Sequence, residues 1–147
     1  MANQQQLDLL TQATAENWNT WRLENTGTRP DLQASNLNAA NLGGVDLSNA
    51  DLSRADLSDA DLNNANLSGA NLVEVNLSGA NLANANLSRA DLTRANLFRA
   101  YLAAANLNNA NLTNANLRGA NISLADFAEA TITTEQLNQA QPSRGDL

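Results

Sequence analysis

A large apolar residue recurs every five positions from Leu32 to Ile132. It is Leu at 18 of these 21 positions; Ile122, Phe127 and Ile132 are the others. Two residues earlier stands Ala in 17 of the 21 pentads, with Pro30, Ser35, Val45 and Val75 as exceptions. Between them stands Asn or Asp in 19, with Tyr101 and Thr131 as exceptions. A period of five suits neither regular element. On an α-helix it would scatter the Leu residues around the axis. On one straight strand it would send successive Leu to opposite faces. The chain must therefore turn once per pentad. Ala and Leu, two apart, point to the same side of an extended segment. The polar and small residues after Leu make the bend, and the Asx before Leu, with its affinity for nearby backbone and for left-handed conformations, is further corner chemistry. Short inward segments and corners wound in one direction predict an all-β solenoid.

The phrase Ala-(Asp/Asn)-Leu-x-x, as in Ala90-Asp91-Leu92-Thr93-Arg94, resembles that of the pentapeptide repeat proteins. The resemblance implies a right-handed quadrilateral parallel β-helix over 28–133, with four pentads to a coil and so about five coils, a rod roughly 25 Å long at the usual strand spacing, and a Leu ladder inside each wall. Leu52, Leu72, Leu92 and Leu112 form one such ladder, and Val45 and Val75 must fit where Ala usually sits. Stability would come from neighbour-to-neighbour stacking.

The flanks differ in composition. Residues 1–27 predict a capping helix near 4–25, interrupted near Thr14, because Leu7, Leu10, Thr14, Trp18 and Trp21 fall on one helical face. Asn3 with Gln6 resembles a capping box, and Gly27 and Pro30 end the segment. Trp18 and Trp21 are placed to cover the open end of the first coil; the alternative is that they form a partner-binding patch. The stretch Trp18–Asn25, leading to Asp31-Leu32, is similar to the lead-in of cyanobacterial members of the family. After Ile132, Thr133 and Gln136 predict a second cap for a short helix, 134–140, stopped by Pro142. The segment 134–147 thus reads as a C-terminal cap and a polar tail. In the family such an element can instead join two rods end to end, so a monomer or an end-to-end homodimer is expected. Arg144-Gly145-Asp146 spells an integrin-recognition tripeptide and reads as coincidence.

Composition removes most chemistry. The chain has no His, Lys or Cys, so the usual general base, Schiff-base amine, thiol nucleophile and zinc ligands are missing. A Leu-filled interior leaves no pocket, and no phosphate-binding Gly-rich loop occurs. Seven Gly are too few for Gly-rich calcium-binding β-helix repeats. Neither catalysis nor a cofactor is expected. The net charge of −7 speaks against binding nucleic acid or anionic lipid. The sequence shows no leader-like or membrane-spanning apolar run, which gives a cytoplasmic expectation.

Asp46, Asp51, Asp56 and Asp61 fall on successive faces as an acidic girdle, while Arg54 and Arg94 share the face of the Leu52 ladder. Alternating charge of this kind is first a solvated surface, and second a surface for a partner. The leading functional expectation is a non-enzymatic rod that presents a regular polar surface to another protein. The alternative, implied by the family resemblance and the acidity, is a DNA-mimic inhibitor or protector of a type II topoisomerase such as DNA gyrase.

Overall fold

The computed structural model describes residues 1–140. Its body is a right-handed quadrilateral parallel β-helix. Seventeen parallel bridges, from Asp31 with Asp51 to Asn111 with Thr131, each join residues 20 apart. Four pentads therefore close one coil. Each wall is named here for its first inward residue: the Leu32, Leu37, Leu42 and Leu47 faces.

Hydrogen bonds run along the rod at every wall. Leu52 N–H donates up to the Asn71 carbonyl at 2.8 Å, and Asp51 N–H donates down to the Pro30 carbonyl at 2.8 Å. Inside, every ladder Leu from Leu32 to Leu117 is at most 1% exposed. Burying each contributes about 1.5–3 kcal/mol. The small residue two positions earlier lets opposing walls close together, and Val45 and Val75 are accommodated with 2% and 0% exposure.

The corner follows Leu. In the pentad of Leu52, Ala55 N–H returns to the Leu52 carbonyl at 3.0 Å, closing a four-residue turn. Its third residue has positive φ at all twenty corners from Ala34 to Glu129, as a type II turn requires. Only four of these are Gly, so most corners carry the cost of a left-handed non-Gly residue. The Asx before Leu offsets that cost. Its side-chain oxygen accepts the backbone N–H two residues on in all nineteen Asx pentads, at 2.9–3.5 Å. Ser and Thr at that second position often add a hydroxyl bond, as Ser53 does to Asp51 at 2.8 Å.

The N-terminal cap is two helices, α1 (Gln4–Gln12) and α2 (Ala15–Glu24). The break falls at Ala13 and Thr14, where Thr14 caps α2 by accepting Asn17 N–H at 3.2 Å. Cap side chains replace the coil that would lie below. Gln6 Oε1 accepts Asp31 N–H at 2.7 Å, and Asn19 Oδ1 accepts Asp46 N–H at 2.7 Å. At the other end α3 (Thr134–Gln139) opens with a full capping box between Thr133 and Gln136. Gln136 Nε2 then donates to the Leu112 and Ala115 carbonyls at 2.6 and 3.1 Å, and Gly119 N–H reaches the Gln139 carbonyl at 3.0 Å. α3 thus stands in for the next coil above Leu117 alone. Ile122, Phe127 and Ile132 on the other three walls are only partly buried. Pro142 and the Arg144-Gly145-Asp146 tripeptide lie outside the described residues.

Candidate interaction surfaces

With Leu and Ala consumed by the core and Asx by the corners, the positions left for chemistry are the two that follow Leu. They project where each wall runs into its corner, and no site is concentrated by the winding. Among the described residues, no three His, Cys, Asp or Glu side chains gather as a metal site would need. The grooves run along the outside or at the ends. The one between the α1–α2 junction and the first coil is about 600 Å³, lined by Leu10, Thr14, Asn36, Ala40 and Gly43 among others.

Trp18 is 0% exposed. Its Nε1–H donates to the Asp46 carbonyl at 2.8 Å, and its ring lies 5.1 Å from that of Trp21, tilted by 36°. Trp21 is half-buried against the core. The indole pair therefore sits beneath the first coil, between cap and rod.

The girdle carboxylates lie on four different faces, and each uses one oxygen at its own corner. Asp46 accepts Ser48 N–H and Oγ–H at 3.0 and 2.6 Å, and its other oxygen lies 3.7 Å from Arg22 Nε. Asp51 is tied likewise to Ser53 and stands 4.0 Å from Arg29. Asp61 takes Asn63 N–H at 3.0 Å and the Asn81 amide at 3.4 Å. Asp56 accepts from the Ser58 hydroxyl at 2.5 Å and from Ser58 N–H at 3.0 Å. These two donors, the hydroxyl foremost, hold its carboxyl below the ordinary Asp value of 3.8 against a smaller opposing desolvation. Arg94 reaches Glu74, one coil below, at 2.7 Å. Arg54, Glu74 and Arg94 thus form an exposed column of alternating sign on the Leu32 face. As an exposed pair, Arg94–Glu74 contributes about 0–1 kcal/mol.

Two exposed side chains were not singled out from sequence. Tyr101 is 46% exposed and Leu124 is 90% exposed. The signal was present as departures from the pattern: Tyr101 stands in an Asx position, and Leu124 in a corner position otherwise held by Ala, Gly, Asn, Asp, Arg or Glu.

A square coil of Leu ladders with Asx-braced corners defines the chain as a quadrilateral β-helix repeat protein. It belongs to the pentapeptide repeat family, whose repeats match residues 31–69, 70–97 and 95–133 in eight copies. Solved structures agree. The pentapeptide repeat protein Rfr23 of the cyanobacterium Cyanothece is 34% identical over 85% of this chain and 97% of its own, with a TM-score of 0.69. A pentapeptide repeat protein from the thylakoid lumen of Arabidopsis thaliana is 28% identical over 71% of this chain and 73% of its own, with a TM-score of 0.62. HetL of the cyanobacterium Nostoc, a pentapeptide repeat protein involved in heterocyst differentiation regulation, is 38% identical over 67% of this chain and 54% of its own, with a TM-score of 0.50. No curated protein matches the chain. Among the described residues no helix is long and apolar enough to cross a membrane.

Proposed function

We propose that this chain is a non-enzymatic rod that binds another protein through its charged outward positions. The observation that carries the reading is the division of labour within the pentad. Leu and Ala are buried, Asx is bonded to its own corner, and only the two residues after Leu are free to vary without disturbing either. Regular spacing at roughly 4.8 Å along the rod turns those positions into columns such as Arg54, Glu74 and Arg94. A partner with a complementary column would be recognised by register as well as by sign. In the girdle, Asp46 and Asp51 turn their second oxygens to Arg22 and Arg29, which leaves Asp56 and Asp61 as its carboxylates for a partner.

The test is cross-linking capture from the native cell, with wild type set against Arg54→Glu/Arg94→Glu. The reading expects one partner recovered with wild type and lost with the double variant, while circular dichroism stays unchanged. Equal recovery by both proteins would refute the assignment to this column. The acidity of −7 favours a second reading, mimicry of DNA toward a type II topoisomerase. Inhibition of gyrase supercoiling by the added protein would select that reading. The compartment we infer is the cytoplasm, following the sequence expectation. Fractionation that places the protein in a lumen would overturn it.

A further inference from the structure

Charge is shared unequally among the four walls. The Leu32, Leu37 and Leu47 faces each carry several ionised side chains at their outward positions, including Arg54 and Glu74, Asp59 and Arg99, and Arg89 and Glu129 respectively. On the Leu42 face Asp61 is the sole carboxylate, and above it the outward positions are Asn, Ala, Ser, Tyr and Leu as far as Leu124. The same stretch holds Tyr101 and Leu124, the two large apolar side chains most exposed on the coils.

Neither residue is what the coil asks for. Tyr101 forgoes the Asx side-chain bond that braces nineteen other corners. Leu124 places a branched apolar side chain at a φ of 61°, a conformation costly for such residues. Both give up local stability, and both add apolar surface on one uncharged wall.

We propose that this wall packs against the same wall of a second copy of the chain. Charge selects the occupant. A partner recruited to an acidic protein gains most by setting basic groups against carboxylates, and this stretch has none to offer. Two copies, each at −7, instead need a contact that brings no like charges together. The neutral wall supplies it. Its geometry is self-complementary. Tyr101 stands outward next to the inward Leu102, and Ala103 opens the corner that follows. A two-fold axis along the rod sets Tyr101 of each copy over Ala103 of the other, and an isologous contact closes as a dimer. The neutral stretch is only about 20 Å by 10 Å, below the size of stable interfaces. The dimer is therefore weak, with a dissociation constant on the order of 100 μM. This inference stands on the wall itself and is independent of any other protein partner.

Sedimentation equilibrium between roughly 5 and 500 μM, a range spanning that constant, tests it. Tyr101→Asp and Leu124→Asn each restore a residue type common at that pentad position, so both keep the fold, which circular dichroism checks. The weight-average mass of wild type should rise from 15.6 kDa toward twice that value. Each variant should weaken association by at least about tenfold, the effect of losing a central contact, while Arg89→Asp on the Leu47 face leaves it unchanged. A wild type that stays monomeric throughout overturns the proposal. So does association that survives Tyr101→Asp but is lost in Ile132→Asn, which would place the contact at the rod's end.

Discussion

Truncating Leu82 gives the sharpest test of the inward ladder. Leu82 is 0% exposed and sits in the third coil, between Leu62 below and Leu102 above, both also fully buried. Leu82→Ala removes three carbons. At ~0.8 kcal/mol per methylene the transfer term alone is about 2.4 kcal/mol. The cavity adds to this, because backbone bonds from Leu82 N–H to the Tyr101 carbonyl at 2.7 Å and from Asn81 N–H to the Ala60 carbonyl at 2.9 Å hold the coils at fixed spacing. With little collapse possible, the total belongs in the upper part of the usual range, about 4 kcal/mol. For a chain of this size that lowers the melting temperature by roughly 8–16 °C. The internal control is Ile132→Ala, on a residue only partly buried at the C-terminal end, where about 1–2 kcal/mol is expected. Thermal and urea melts followed by circular dichroism would measure both. A Leu82→Ala cost below about 1 kcal/mol, or one no larger than that of Ile132→Ala, would refute the reasoning. Leu82→Asp should abolish the cooperative transition, since it buries an unpaired carboxylate.

Two further outcomes follow from the caps and corners. Because the folded carboxyl of Asp56 is held below its ordinary value of 3.8, its contribution to stability is complete above the unfolded value and is lost as pH falls through the folded one. In Asp56→Asn, which keeps the corner acceptor as Asn76 and Asn96 do on the same wall, that part of the acid dependence should vanish; urea midpoints across pH 2–5 would show it, a window set by the carboxylate values. Trp18→Phe should cost about 1–2 kcal/mol by leaving the part-buried Asp46 carbonyl without its donor, whereas Trp18→Ala should cost about 3–5 kcal/mol. Amide exchange would locate the Trp18→Phe loss in the cap and first coil, and uniform exchange along the rod would contradict it.

The winding was legible in sequence because the same two positions of each pentad, Leu and the small residue two before it, face inward and nothing competes with them. The period forces a turn after every Leu, and the turn is found there, with the Asx brace in place. The closing of four pentads per coil was read from family resemblance; the bridges of residues 20 apart state it directly. The helical segment expected near 4–25 with an interruption near Thr14 is two helices, broken where the Thr14 hydroxyl accepts Asn17 N–H and caps the second. The C-terminal helix was legible from the same kind of signal, with α3 (Thr134–Gln139) lying within the 134–140 expected from Thr133 and Gln136. Leu137 continues the five-residue frame, yet the Thr133–Gln136 capping box wins and the chain turns helical. The neutral wall emerges from the same sorting by face that puts Arg54 and Arg94 together, but a lack of charge makes no motif along the chain. Asp59, Arg89 and Arg99 look as close in sequence to Tyr101 and Ala83 as to one another, yet the square coil puts Asp59 and Arg99 on the Leu37 face, Arg89 on the Leu47 face, and Tyr101 and Ala83 on the Leu42 face.

The spacing of 20 residues between stacked partners carries a consequence for how such a chain can lengthen. Inserting a single pentad leaves the core intact, since any pentad fits any wall. It also turns everything downstream by a quarter revolution relative to everything upstream. Arg54 and Arg94 would then part company and Glu74 would lose its neighbour, with no loss of burial to betray the change. Only insertions of whole coils preserve the columns. The rod is thus tolerant of growth in its folding and intolerant in its surface, and duplication by 20 is the step that extends both together.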